Sequence, residues 1–202
     1  NIMMRSMELL EEGFTRALVQ MQEESSENRT GLNTGQLLKL LQIAGRKEDA
    51  VVIEDFMKEV WKSHEDTTIR SKHDDALRYL LSNRSKDALS KFTSITLEEP
   101  HYGEAWNKKA TCHFMHAEIE EAIEAIQKAL VLLPNHYLAL GGLGLAYQER
   151  MDNENAVKYY QKCLELNPWS PVASRMVACQ DTIESDDEDE AVIEGSAPIP
   201  DK

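Results

Sequence analysis

The sequence predicts an all-α fold: a solenoid of stacked helical hairpins, with helices ahead of it and a capping helix behind. Four coincident sets of residues carry this. Pro100, Pro134 and Pro168 stand 34 residues apart, and Ala88, Ala122 and Ala156 keep the same step. Ala76, Ala110 and Gly144 repeat it again, and so do Tyr79, His113 and Tyr147. A period in the thirties marks a helical hairpin that cannot bury its apolar face alone and stacks on copies of itself.

Taken in order, residues 1–23 read as an amphipathic helix. Met3, Met7, Leu10, Phe14 and Leu18 recur at steps of three and four with acids between several of them. This helix either packs on the solenoid or serves as a docking arm for a neighbouring subunit. Residues 24–34 are a polar joint with Gly31 and Asn33 and read as a loop. Residues 35–68 follow as a helical hairpin, the first helix capped by Thr34 and the second running from about Lys47 to His64. Glu54 and Lys58 occupy the slots where the repeat needs a small residue and an aromatic, so this is a non-repeat hairpin, expected to cap the start of the array.

Three repeats fill 69–170, divided as 69–102, 103–136 and 137–170. In the first, Lys72 and Asp75 displace the expected Trp and Leu, while Ala76, Tyr79, Ala88, Phe92 and Pro100 remain. Its helices are expected over about 67–82 and from a cap at Ser85. The second keeps Trp106, Ala110, Ala122, Ala129 and Pro134; the third keeps Leu143, Gly144, Tyr147, Ala156, Tyr160 and Pro168. Small residues let paired helices approach, large ones fill the gaps between pairs, and proline ends the second helix. Ser170-Pro171 then opens a capping helix over 171–183. Residues 184–202 carry eight acids and one base without a pattern that could bury anything, and read as a disordered acidic tail.

These positions follow the pattern W-x2-L-G-x2-Y…A-x3-F…P, and the chain resembles the tetratricopeptide repeat family, in particular small members from bacteria and plants. The resemblance implies that the first helix of each hairpin lines a concave groove that binds a peptide or helix of another protein. Carried over, the groove residues are His73, Leu77 and Leu80 in the first repeat, with Arg70 beside them. The second contributes Asn107, Lys108, Thr111 and Phe114, with Glu104, and the third Leu138, Gly141, Leu145 and Gln148. Leu77, Leu80, Phe114, Leu138 and Leu145 make this surface apolar, which calls for a partner. Family members that hold the acidic tails of chaperones use Lys, Asn and Arg from three successive first helices. Here His73 and Leu77, then Asn107 and Lys108, then Leu138 and Gly142 stand at those places, so a carboxylate clamp is not supported.

Composition excludes other classes. The net charge is −14, about half of the excess lying between Glu184 and Lys202. An acidic surface repels phosphate backbones and anionic bilayers, so neither nucleic acid nor a membrane is expected as partner. The most apolar run, Leu138 to Tyr147, is too short to span a bilayer. Cys112, Cys163 and Cys179 form no disulfide framework and read as reduced, buried thiols of an intracellular, soluble protein. The chain does not open on methionine, which leaves an organellar protein, plastid or mitochondrial with its transit peptide removed, beside a cytosolic one.

No phosphate loop or nucleophile elbow is present, and Gly141-Gly142-Leu143-Gly144 lies inside a helix with no strand before it. His113, His116 and Cys112 fall short of the four convergent ligands of a structural zinc, so neither metal nor cofactor is expected. The function expected is that of a non-catalytic interaction module, an adaptor or accessory subunit of a larger complex. A transient chaperone-like assembly factor is the alternative, and an enzyme the third.

Overall fold

The computed structural model describes residues 34–172 and 174–180. The docking helix with Met3, Met7, Leu10, Phe14 and Leu18, and the acidic tail, lie outside the described residues. Among the described residues, eight helices form four antiparallel pairs, ahead of the helical residues 174–180. These are α1 (Thr34–Ile43) with α2 (Lys47–Lys62), and α3 (Thr67–Leu81) with α4 (Ser85–Glu98). Next come α5 (Gly103–Met115) with α6 (Ile119–Leu132), and α7 (Tyr137–Glu149) with α8 (Asn153–Leu166). Residues 174–180 are helical again. Among the described residues no strand is present, and α3 to α8 stack as sequential hairpins.

The 34-residue step reappears in the backbone. Asn83, Ala117 and Met151 have φ of 58°, 57° and 60°. Each reverses the chain between the two helices of a repeat. After each, an amide reaches back five residues to a carbonyl of the last turn: Arg84 to Tyr79, Glu118 to His113, Asp152 to Tyr147. This bond satisfies a carbonyl the helix end would leave orphaned. Helix starts are capped where the side chains allow it. Asp66 accepts from the Thr68 amide at 2.6 Å, His136 from Ala139 at 3.1 Å and Asp152 from Asn155 at 3.2 Å. Ser85 is not the cap expected of it. It sits inside α4, and its hydroxyl bonds His116 Nε2 at 2.9 Å, tying the first repeat to the second.

Packing follows the size pattern. Ala76, Ala88, Ala110, Ala122 and Ala156 are buried, as are Phe92 and Tyr160. A Cβ on Gly144 would come within 2.5 Å of the Tyr160 ring, so only glycine lets α7 and α8 close this far. Beyond α8, Ser170 is buried and accepts from the Cys163 thiol, and the chain turns at 171–172 before becoming helical. Cys179 packs on Ala156 and Tyr160 and covers the end of the last repeat.

The α1–α2 hairpin does not cap the start of the array. Leu37, Leu38, Leu41, Ile53, Met57 and Trp61 share one cluster with Tyr137, Leu140 and Cys163 of the third repeat. From there α2 runs back along the edge where the first helices of the repeats begin. Asn167 Nδ2 donates to Glu54 Oε1 at 2.6 Å beside the third repeat. Trp61 stacks on His136 at the second junction, and Tyr102 donates to the Lys62 carbonyl at the first. Lys62 then meets Asp74 of α3 at 3.1 Å. The reason is physical: α2 has an apolar face too large to leave wet, and the far repeat offers the matching face. Glu54, which keeps this hairpin out of the repeat pattern, is the residue that pins it to Asn167.

Candidate protein-binding surface

The inner wall is built by α3, α5 and α7. Helical geometry places residues four apart on one face, so each helix presents a short column toward the groove. The part nearest the start of these helices is closed by the chain itself. His73 is fully buried, edge-on to Phe92 at 5.4 Å and beside Tyr102 at 5.4 Å, and neither ring nitrogen has a hydrogen-bond partner. Burial lowers its pKa to about 4. Gly141 is buried: a Cβ there would stand 3.2 Å from Val172 and 3.4 Å from the Cys163 sulfur. Asn107 is buried and donates to Glu104 Oε2 at 2.9 Å.

Glu104 anchors this closed part. It is 4% exposed, accepts from His136 Nε2 at 2.9 Å and pairs with Lys108 at 3.0 Å. Burial alone would raise its pKa. The His136 hydrogen bond, the Lys108 charge and the Asn107 amide outweigh that and hold the carboxyl down to about 2. Asn107 and Lys108, read from sequence as groove donors, are therefore engaged by a carboxylate of their own helix.

The wall remains open farther along. Leu77, Thr111 and Leu145 sit 34 residues apart on α3, α5 and α7; Thr111 is exposed and both leucines are half-buried. Neither leucine belongs to a packed cluster among the described residues, whereas Leu80 packs on the core of the first repeat and Phe114 on that of the second. Gln148 accepts from the Tyr160 hydroxyl at 2.7 Å. One turn on from the open row, Leu81 is 79% exposed and Met115 47%. Leu138 is exposed at the start of α7. Leu81 and Met115 were missed in the sequence because they fall outside the pattern's defining slots, although both lie four residues after an open-row position.

Residues with catalytic or metal-binding potential are scattered. His113 donates to Glu118 at 2.6 Å, His116 meets Ser85, and Cys112 is buried, its thiol pushed up to about 11 by that burial. The Cys163 and Cys179 thiols are also raised by burial. Among the described residues no group of three or more His, Cys, Asp or Glu is placed to hold a metal ion. No described helix is long and apolar enough to cross a membrane.

Comparison with known proteins agrees with this architecture. A family model of the tetratricopeptide repeat matches residues 137–170. A TPR repeat-containing protein of Rhizobium etli is 22% identical over 160 residues, 79% of this chain and 78% of the relative. A BBSome complex member BBS4 homolog of Drosophila melanogaster is 38% identical over 60 residues, 30% of this chain and 12% of that protein. Among solved structures, the first TPR of Spaghetti (RPAP3), bound to the HSP90 peptide SRMEEVD, superposes with a TM-score of 0.57 at 18% identity. It covers 60% of this chain and 98% of that one. The Sgt2 TPR domain from Aspergillus fumigatus gives 0.55 at 19% identity, covering 68% and 89%. At these identities the structural likeness is one of fold. Domains with this repeat are in general protein–protein interaction modules without catalysis of their own. The matched third repeat, the shared fold and the 34-residue step in sequence and backbone agree: residues 137–170 are a tetratricopeptide repeat, and the described hairpins have the stacked fold of such repeats.

Proposed function

We propose that this chain is a non-catalytic adaptor or accessory subunit that holds a segment of another protein against the open part of its inner wall. The observation that carries the reading is the row Leu77, Thr111 and Leu145, continued by Leu81 and Met115. It is an apolar strip on three successive helices whose leucines belong to no packed cluster among the described residues. An apolar strip of this kind fits a segment that brings apolar side chains at regular spacing, extended or helical. The Spaghetti domain is bound to a peptide ending in acidic residues. That mode is not carried over, because Asn107 and Lys108 are held by Glu104 and His73 is buried.

The test is Leu77→Arg combined with Leu145→Arg, two substitutions outside the packed clusters. Circular dichroism and the unfolding midpoint report whether the fold is kept. Native mass spectrometry of the chain from its source reports a stoichiometric complex. The reading expects a complex with the unaltered chain and its loss in the double variant. A complex that persists in the folded double variant removes the open row from the interface. A chain that runs as free monomer throughout favours a transient chaperone-like factor.

A further inference from the structure

The outer side of the second repeat carries a cleft of about 470 Å³ that the inner wall does not share. Trp106 forms its floor, about 140° round α5 from Thr111 at the ordinary 100° per residue. The indole N–H donates to the Pro100 carbonyl at 2.9 Å, which fixes the ring and leaves its faces for contact. Pro100, His101, Val131 and Leu132 line the wall with Lys128, Gln127 and one carboxylate, Glu124, and Val131 is 82% exposed. Two ammonium groups address this one ring: Lys109 at 5.1 Å from the centroid and Lys128 at 4.6 Å. Among the described residues neither lysine has a carboxylate within ion-pair distance, although the chain as a whole carries a net charge of −14. Burial and the neighbouring Lys128 charge both lower the Lys109 pKa. Two like charges gathered over an aromatic ring beside an exposed apolar rim are complementary to a peptide that has acids followed by aliphatic residues.

The chain carries such a segment. Asp186 to Glu190 are five acids in a row, followed by Ala191, Val192 and Ile193. The last described residue, Gln180, lies on the end of the third repeat, one repeat away from the cleft. An extended chain covers roughly 3.4 Å per residue, so about 20 Å separates Gln180 from Asp186 at full reach and about 44 Å from Ile193. Packed helices lie about 10 Å apart, so the segment can reach back one repeat. We propose that residues 186–193 dock in this cleft of the same chain, carboxylates on Lys109 and Lys128 and Val192 or Ile193 against Trp106 and Val131. The docking compensates the lysine pair and covers the exposed apolar rim. It uses the outer face and is independent of the inner-wall reading.

The experiment uses full-length chain labelled at the tryptophan indole nitrogen, with the Trp106 resonance assigned through Trp106→Phe. It is compared with a full-length variant carrying Asp186→Asn, Asp187→Asn, Glu188→Gln, Asp189→Asn and Glu190→Gln. Neutralising the five acids is expected to move the Trp106 indole resonance and leave those of Trp61 and Trp169 in place. Salt at about 0.5 M is expected to move it the same way, because exposed charges are then screened within a few ångström. In a Lys109→Gln, Lys128→Gln background the tail substitutions are expected to have no further effect. A Trp106 resonance identical with and without the acids overturns the proposal, as does an equal shift in the lysine-free background. A shift that disappears on dilution assigns the segment to a second copy and also overturns docking within one chain.

Discussion

The indole of Trp61 lies flat on the imidazole of His136, with 3.7 Å between ring centroids and 18° between planes. The contact joins the end of α2 to the junction between the second and third repeats. The imidazole is held from both sides: Nδ1 accepts from the Ala139 amide, and Nε2–H donates to buried Glu104. One stacked pair therefore couples the non-repeat hairpin, the start of α7 and the charged first turn of α5.

Removing Trp61 is expected to release α2 from the edge of the array. Trp61→Ala deletes a side chain only 5% exposed, and buried aromatic truncations cost about 3–5 kcal/mol. Trp61→Phe, which keeps an aromatic face toward His136, is expected to cost roughly half as much. Urea unfolding midpoints measure both. A loss below about 1 kcal/mol for the alanine variant would mean that α2 is not held through this contact.

Acid is expected to unfold the protein in two windows. The His73 pKa is lowered to about 4 by burial, so the unfolded chain takes up a proton at this site near pH 6.5 that the folded chain refuses. Stability at this site is complete above pH 6.5 and declines as pH falls to about 4, by roughly 3 kcal/mol in all. His73→Leu should flatten this window and be no less stable at neutral pH, since it also removes two unsatisfied buried nitrogens. Glu104 acts lower: its stabilisation is present above about pH 4.5 and is lost as pH falls toward 2. Urea midpoints across pH 7 to 3 check both, and an unchanged slope between pH 6.5 and 4 in His73→Leu would contradict the assignment.

Two glycines two residues apart on α7 should respond with opposite signs. At Gly142 a Cβ would find Ile126 at 3.6 Å, ordinary contact, so Gly142→Ala should stabilise by up to about 1 kcal/mol through helix propensity. At Gly144 the same atom would overlap the ring of fully buried Tyr160, and Gly144→Ala should cost about 1–3 kcal/mol or more. Thermal unfolding of the two variants distinguishes them, and equal signs would contradict the packing described for α7 and α8.

Ala117 holds φ of 57° in the turn between α5 and α6, a conformation that costs a residue with a Cβ about 1–2 kcal/mol. Ala117→Gly should relieve this and raise stability by about 0.5–1 kcal/mol, after the larger entropy of glycine in the unfolded chain is subtracted. A lower melting temperature would show that the turn is not strained.

The repeats were legible because their packing is periodic: Ala76, Ala110 and Gly144 face the same neighbour three times over, so one step of 34 exposes all of them. The left-handed turn residues Asn83, Ala117 and Met151 obey the same step, yet their side chains share no chemistry and the pattern passes over them. The course of α2 was not legible, because nothing periodic ties Trp61 to His136 or Glu54 to Asn167 across more than seventy positions. Tyr102 and Glu104, beneath the same edge, enclose His73 and Asn107, while Gly141 is covered by Val172 and Cys163. The row Leu77, Thr111 and Leu145 was readable once the family geometry was applied.

The most direct test of the inner-wall reading places a photo-activatable side chain at Thr111, in the middle of the open row, and a control at Lys158, exposed on α8. After irradiation of the chain in its native setting, a protein adduct is expected at position 111, absent at 158, and lost when Leu77→Arg and Leu145→Arg are added. Adducts of equal yield at both positions, or an adduct at 111 that survives the two arginines, would contradict the account.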